Sequence, residues 1–257
     1  MPTALEIVEI AAAATGATAL VAGGLIYSSL APASRVFGAA LTAPPNPVNG
    51  LPQFALTFDD GPNPRWTPPL LELLAHYEVK ATFFLIGMYA TKQKRIAREI
   101  QAAGHLIGNH TWTHPNLART SPAKTYQELN DTNEELQQIL GARVRYFRPP
   151  FGLRKPGTFR IARELGLIPV TWNIIGNDWT ELTAEQITER VTRLMGKNRQ
   201  RGEATNLVLH DGSHRTPEAD RSRSVTATEM LLEKYRQSYE FVRLDVWETF
   251  AIKRVGL

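Results

Sequence analysis

The chain has 257 residues, enough for one large domain or two small ones. Hydrophobic residues make up 43% of it and charged residues 21%, which excludes an intrinsically disordered protein. The 29 basic and 25 acidic residues leave a net charge of +4. Because the basic residues are spread along the chain, we expect no nucleic-acid partner. The absence of cysteine excludes disulfide and thiolate chemistry but leaves the compartment open.

The first feature along the chain is an uncharged apolar segment from Ile10 to Leu30, long enough to cross a bilayer as a helix. Glu6 and Glu9 precede it, where a signal peptide carries basic residues, so an uncleaved anchor is favoured. A signal peptide and a peripheral or packed helix are the alternatives. We therefore expect a membrane-anchored or exported protein of the cell envelope, with its orientation open.

A proline-rich stretch from Ala43 to Pro52 separates this segment from the rest of the chain and predicts a linker. We accordingly assign residues 1–45 to the N-terminal helix and linker, and residues 46–257 to a second domain.

From Phe54 onward, short apolar strands alternate with helical patterns. The helix starts are signalled by Thr67-Pro68, Ser121-Pro122 and a capping box from Thr183 to Gln186. Seven strands are predicted, at Phe54–Phe58, Ala81–Ile86, Leu106–Asn109, Tyr146–Arg148, Ile168–Trp172, Leu207–Leu209 and Phe241–Arg243. Strands joined by helical crossovers predict a parallel α/β sheet, either a closed barrel or an open doubly wound sheet.

Polar side chains lie at or just after the ends of five of these strands. They are Asp59 and Asp60, His110 and His114, Arg148, Asp178, and His210. In a barrel the strand ends converge on one rim, whereas in an open sheet the first and the last would be far apart. This distribution favours a barrel with one active site.

Asp59 and Asp60 follow a buried apolar strand and precede Gly61-Pro62, which ends it. Neighbouring residues on a strand point to opposite faces, so two carboxylates at a strand end can do two jobs at one site. One can hold a metal while the other moves a proton. An ordinary Asp-Asp-Gly turn is the alternative.

His110 and His114 lie four residues apart, and Pro115 disfavours helical geometry at His114. This predicts a tight loop, and the His-Glu-x-x-His pattern of a metalloprotease helix is absent. Two polar loop residues are the plain alternative. Joined to a carboxylate from another strand end, the histidines form a set with open positions that suits zinc. Ferrous iron suits it too, which leaves an oxygenase as a rival.

Five ordered motifs resemble those of the polysaccharide deacetylases with the NodB homology domain (carbohydrate esterase family 4). They are Thr-Phe-Asp-Asp-Gly, His-Thr-x-x-His, Arg-Pro-Pro-Phe-Gly, Asp-Trp and the family's Leu-x-His-Asp, here Val208-Leu209-His210-Asp211. The resemblance covers about Gln53 to Val242. It implies a distorted (β/α)7 barrel, here preceded by the N-terminal apolar helix, and metal-dependent removal of acetyl groups from an N-acetylated sugar.

The resemblance also implies a role for each matching residue. The metal ligands would be Asp60, His110 and His114, binding one divalent ion, Zn²⁺ first, with Co²⁺, Ni²⁺ or Mn²⁺ as alternatives. The general base would be Asp59, oriented by Arg148, and the general acid His210, kept protonated by Asp178. The backbone N–H of Phe151 would help to hold the oxyanion, and Trp179 and Val208 would line the acetyl-methyl pocket.

Three departures from the family pattern affect the predicted substrate more than the predicted reaction. Asn177 stands before Asp178-Trp179 in a stretch that lacks the family's first acid. Phe151 replaces a common tyrosine, but the role falls to its backbone, and Val208 replaces a usual leucine.

The leading hypothesis is a hydrolase that deacetylates N-acetylglucosamine polymers such as peptidoglycan or chitin-like chains. The apolar N-terminus motivates an alternative, a deacylase of a lipid-linked amino sugar, with membrane association through that segment. An inactive sugar-binding module is the alternative from another class, and the intact Asp59 and His210 argue against it.

Overall fold

The computed structural model of the protein describes residues 23, 24 and 27–255. The apolar segment predicted from Ile10 to Leu30 lies mostly outside this range; its last part, residues 27–30, is helical. Within the described residues, no helix is both long and apolar enough to cross a bilayer.

The described chain forms one parallel sheet of eight strands in the order β5-β4-β3-β2-β1-β7-β6, with β8 paired to β1. The sheet curls into a half-barrel, which confirms the predicted α/β fold of the (β/α)7 type. The strands are β1 Gln53–Gly61, β2 Thr82–Leu85, β3 Leu106–Asn109, β4 Tyr146–Phe147, β5 Ile168–Pro169, β6 Ile174–Ile175, β7 Thr205–His210 and β8 Glu240–Phe241.

Helices cross from one strand to the next. They are α1 Thr67–His76, α2 Gly87–Lys92, α3 Lys94–Ala102, α4 Pro122–Leu140, α5 Thr158–Glu164, α6 Ala184–Gln200, α7 Ser222–Tyr235 and α8 Glu248–Val255. The predicted cap of α4 at Ser121 and the capping box of α6 at Thr183 are confirmed. The predicted cap at Thr67 is wrong. Thr67 lies inside α1, where its hydroxyl accepts from the Asn63 N–H and donates to the Asp211 carboxylate.

Two strands differ from the prediction. The fifth strand ends at Pro169 instead of Trp172, and Val170, just beyond it, bridges Leu41 of the N-terminal segment. The sixth strand, Ile174–Ile175, was not predicted, because it follows the predicted fifth strand after a single residue and no turn signal separates the two.

The stretch before β1, predicted as a linker from Ala43, is tied to the open edges of the sheet. Leu41 is buried and bridges Val170 beside β5, and Pro45 bridges Glu203 just before β7. No ladder joins β5 to β6 within residues 27–255, so this segment spans part of the gap between the two sides.

The two faces of β1 have different environments. Phe54, Leu56 and Phe58 point outward into the main apolar cluster under the helices. The alternate residues Thr57 and Asp59 lie on the other face of the strand, which they share with Ala55 and which points into the barrel. Polar groups on the inner face thus meet where the strands end.

Candidate active site

The C-terminal end of β1 carries both aspartates, and its local geometry separates them. The strand runs on to Gly61, two residues past the predicted loop start, and its register with β2 shifts between Asp59 and Gly61. Asp60 lies at this bulge with φ 70°. Bulges of this kind re-aim side chains next to active sites. Asp59 stays in register, opposite His210 of β7.

Left-handed backbone conformations concentrate around this rim. Among the described residues other than glycine, six have positive φ, and five of them lie at or beside the strand ends of the site. Such conformations cost about 1–3 kcal/mol each and cluster where function requires a fixed geometry. The five are Asp60, Thr111, His114, Phe151 and Asn177.

The structure brings Asp60, His110 and His114 together. The Oδ1 atom of Asp60 lies 3.4 Å from His110 Nε2 and 3.1 Å from His114 Nε2, and all three side chains are buried. Burial alone would raise the pKa of Asp60, but its contacts with His110, His114 and His214 hold it well below the usual value of 3.8. The carboxylate is therefore ionised and faces two imidazoles.

The two histidines lie in the predicted tight loop after β3, but their outer nitrogens differ. His110 Nδ1 lies 2.8 Å from the carbonyl oxygen of Arg148, a contact that fixes the ring. His114 Nδ1 is buried and has no hydrogen-bond partner among the described residues. Burial lowers the pKa of His114, which favours a neutral ring that can donate a lone pair.

This donor set fits a divalent cation. One ligand atom from each of the three residues lies within 4.8 Å of the others. Asp60 Oδ1 is buried without a hydrogen-bond donor in the described structure, so the shared focus of the set is free for a cation. Ligands about 2.1 Å from one ion stand about 3.4 Å apart in a tetrahedral shell, close to the observed spacings. Nitrogen and carboxylate donors suit zinc and several other transition metals.

Asp59 is held by a fully buried arginine. Arg148 follows β4 and is 0% exposed; its Nη1 donates to Asp59 Oδ1 at 2.8 Å and to Thr57 Oγ1 at 2.7 Å. Its Nη2 donates to the carbonyl of Thr171 at 3.2 Å and to the side chain of Asn206 at 3.4 Å. Burial lowers the pKa of Arg148 and Asp59 opposes that effect, but a guanidinium stays charged at any working pH.

His210 is paired with a second buried carboxylate. Its Nδ1 lies 2.9 Å from Asp178 Oδ1, while Asp178 Oδ2 accepts from the His210 backbone N–H at 2.7 Å and from Ser224 Oγ at 2.6 Å. Burial would lower the pKa of His210, but the charge and hydrogen bond of Asp178, together with the charges of Asp60 and Asp59, raise it to about 9. Burial alone would raise the pKa of Asp178, but the charge of His210 and the hydrogen bonds from His210 and Ser224 lower it below 3.8. His210 is therefore an imidazolium at neutral pH.

All these groups face one cavity of about 380 Å³. Trp179 and Phe151, both 48% exposed, stand on its rim, and Val208 is buried in its wall. The Trp179 ring meets the His210 ring edge-on, with 5.1 Å between centroids. The structure thus places every predicted site residue in or directly behind a single cavity, although Asp178 and Arg148 act from behind it.

Four residues around the site were given no role from the sequence. Thr57 and Ser224 hydrogen-bond to Arg148 and Asp178, and His214 lies against Asp60. Asp211 is also buried behind the site, where burial raises its pKa to about 7. Thr57 and Asp211 belong to two of the quoted motifs, and Thr57 shares a strand face with Asp59, whereas no motif contains Ser224 or His214.

The fold and this cavity together define a class: an α/β half-barrel hydrolase-type site with a metal-binding donor set between a carboxylate and an imidazolium. Comparison with known proteins gives the family. The sequence pattern of the family described as polysaccharide deacetylase matches residues 49–170.

Two relatives and one solved structure extend the match. A peptidoglycan-N-acetylglucosamine deacetylase of Bacillus cereus is 34% identical over 194 residues, which are 74% of this chain and 85% of the relative. Another B. cereus protein of that name is 39% identical over 139 residues; they make up 54% of this chain, which spans only half of the relative's length. The crystal structure of the peptidoglycan N-acetylglucosamine deacetylase Bc1960 superposes with TM-score 0.68 and 31% identity, covering 80% of this chain and 92% of that one. The chain belongs to the polysaccharide deacetylase family.

Proposed function

We propose that the protein is a metal-dependent hydrolase that removes N-acetyl groups from a glycan containing N-acetylglucosamine, with peptidoglycan as the first candidate. The observation that carries this proposal is the joint position of the three groups that amide hydrolysis requires. A cation donor set, the carboxylate of Asp59 and the protonated imidazole of His210 face one 380 Å³ cavity. The names of the B. cereus relatives support peptidoglycan, and relatives named chitooligosaccharide deacetylases, 33–35% identical, support a chitin-like chain as the alternative.

Asp60, His110 and His114 would hold one divalent ion, with Zn²⁺ the first candidate. When bound there, such an ion supplies Lewis acidity, polarising the amide carbonyl and lowering the pKa of water.

Asp59 is the proposed general base. Its Oδ1 is engaged by Arg148, whereas its Oδ2 faces His110 Nε2 at 3.9 Å, so the second oxygen points to the cation site. There it accepts the proton of the attacking water. General base catalysis of this kind contributes about 10²–10⁴ in rate.

His210 is the proposed general acid. An amine leaves an acetyl carbon poorly until its nitrogen is protonated, and His210 is charged at neutral pH because Asp178 stabilises the imidazolium. Asp59 and His210 are adjacent across the β1–β7 ladder, so base and acid reach the same amide bond from neighbouring strands. This pairing also argues against an oxygenase, which has no use for it.

Phe151 and Trp179 form the proposed substrate contacts. The left-handed backbone of Phe151, with φ 58°, turns the loop after β4 at the cavity rim, where its N–H is proposed to stabilise the developing oxyanion. A donor of this kind is worth about 10²–10³ in rate. Trp179 and Val208 are proposed to enclose the acetyl methyl group. Since peptidoglycan is an envelope polymer, we also propose that the enzyme acts at the cell envelope.

The proposal is tested by measuring acetate release from peptidoglycan fragments and from chitooligosaccharides. We expect release that stops with a chelator and returns when Zn²⁺ or Co²⁺ is added back. The matched control is Asp60→Asn, which should stay inactive after metal is restored. Release that ignores the chelator would refute the metal role, and no release from any N-acetylglucosamine substrate would refute the function.

A further inference from the structure

His214 lies on the loop after β7 and contacts the oxygen of the Asp60 carboxylate that does not face the two ligand histidines. Its backbone N–H donates to Asp60 Oδ2 at 3.2 Å, and its ring Nδ1 lies 3.5 Å from the same oxygen. The other oxygen, Oδ1, faces His110 and His114. The two oxygens of Asp60 therefore have separate partners, and His214 occupies the one that the cation site leaves over.

The ring of His214 also covers one of the ligand imidazoles. It stacks on His114 with 4.3 Å between centroids and 14° between planes. Phe151 closes this cluster, meeting His114 edge-on at 4.6 Å and His214 at 5.1 Å. The rings of His114, His214 and Phe151 thus form one cluster in which each contacts the other two.

This packing replaces a missing hydrogen bond. A ligand histidine is almost always oriented by a hydrogen bond from its outer nitrogen. His110 has such a contact with the Arg148 carbonyl, but His114 Nδ1 has none within the described structure. The orientation of His114 therefore depends on its ring contacts, of which the stack with His214 is the most nearly parallel.

The loop that carries His214 is fixed at both ends of the contact. Tyr89 donates its hydroxyl to the His214 carbonyl at 2.9 Å, and Arg221 Nε donates to the Gly212 carbonyl at 2.6 Å. At Gly212 a Cβ atom would lie 2.1 Å from the carbonyl oxygen of Asp60, so only glycine lets the loop pass this close. His214 is held in place by several independent contacts, as a positioning residue must be.

We propose that His214 is a positioning residue of the metal site: its backbone N–H and ring hold the Asp60 carboxylate so that Oδ1 faces the cation, and its ring holds the imidazole of His114. The inference rests on the proposed function only in that Asp60 and His114 bind a metal. Of the side chain's two contacts, we expect the ring stack on His114 to matter more than the contact of Nδ1 with Asp60. The backbone N–H of His214 makes a shorter contact with the same oxygen of Asp60, and it is kept when the side chain is replaced.

The test is metal affinity, measured on the full chain without substrate. Metal-depleted protein is titrated with Co²⁺, followed by the visible absorption of the ion, and Zn²⁺ affinity is measured by competition with a chromophoric chelator. We expect His214→Ala to weaken binding about tenfold or more, the range typical for groups that support metal ligands. His214→Phe keeps the ring and the backbone N–H and should stay within about threefold of the wild type.

His76→Ala is the matched control, because His76 is an exposed histidine at the end of α1, away from the cavity. It should bind Co²⁺ like the wild type and give the same spectrum, whereas the His214→Ala spectrum should change in band position or intensity. Circular dichroism of each variant establishes that it is folded.

Equal affinities for the wild type, His214→Ala and His76→Ala would overturn the inference and leave the proposed function standing. Equal losses in His214→Ala and His214→Phe would overturn the role of the ring stack. A wild-type protein that binds neither ion would overturn the metal role itself, whereas metal binding as expected with no deacetylation would overturn only the proposed function.

Discussion

Each half of the cavity contains a carboxylate paired with a cationic side chain, and the cation differs between the two halves. In the half built on β1 and β4, the carboxylate of Asp59 is paired with Arg148. In the half built on β6 and β7, the carboxylate of Asp178 is paired with His210. Both pairs are buried or nearly so. In the first pair the further hydrogen bonds are made by Arg148, and in the second they are accepted by Asp178.

The difference lies in which partner can titrate. A guanidinium stays charged at any working pH, so in the Asp59 pair the cation does not titrate, and the carboxylate is the member that does chemistry. An imidazolium can lose its proton, so in the Asp178 pair the carboxylate is the constant member and the cation is the reactive one. One cavity can therefore present a base and an acid together at neutral pH, and only the acid half sets an alkaline limit.

The largest expected effect comes from replacing Asp59, the reactive carboxylate of the Asp59–Arg148 pair. Asp59→Asn should lower the rate of acetate release by about 10²–10⁴, because the variant keeps the shape but cannot accept a proton. Bound metal, measured on the same preparation, should be retained. A variant that still turns over at the wild-type rate would instead favour a site whose chemistry does not use Asp59.

Replacing Arg148, the other member of this pair, should lower the stability of the fold. Arg148→Met leaves Asp59 as an unpaired charge in a buried site, and breaking such a pair costs about 3–5 kcal/mol of unfolding free energy. Denaturant unfolding measures this loss. The matched control is Arg160→Met, which removes an exposed pair with Glu164 and should leave stability unchanged.

For the Asp178–His210 pair, the pH dependence of kcat/KM is the measurement that tests the role of each residue. Protonated His210 is the active form, so kcat/KM should fall as the pH rises through about 9. Asp178→Asn removes the charge that raises this pKa, and burial then acts to lower it, so the falling limb should move down to about 6.5 or below. An unmoved limb would mean that another group provides the proton.

Ser224→Ala should have the smallest effect and separates hydrogen bonding from charge. Ser224 donates to Asp178 Oδ2 but carries no charge itself. Its loss should lower stability by about 1.5–3 kcal/mol, as for hydrogen bonds to charged groups. The alkaline limb should stay near 9, because Asp178 remains ionised beside His210.

Sequence patterns identified most of this arrangement, including Arg148 and Asp178, but not the supporting groups that lie outside the motifs. The motif residues Asp59, Asp60, His110 and His114 could be found because each lies at or just past the end of a strand that an apolar run predicts. Ser224 could not, because it belongs to an ordinary amphipathic helix, α7, and meets Asp178 from 46 positions away. The short strand β6 was missed because it follows the predicted fifth strand after one residue, and only the pairing of β5 with β4 and of β6 with β7 separates the two.

Local information in the chain determined the alternation of strands and helices, the caps at Ser121 and Thr183, and the polar residues at the strand ends. These features follow from neighbours a few positions apart, through hydrophobic periodicity and backbone preference. Only the tertiary structure decided which oxygen of Asp60 faces the imidazoles, what supports His114, and which helix residue hydrogen-bonds to Asp178. Those outcomes depend on distances of a few ångströms between segments that the sequence keeps far apart, and burial decides their strength.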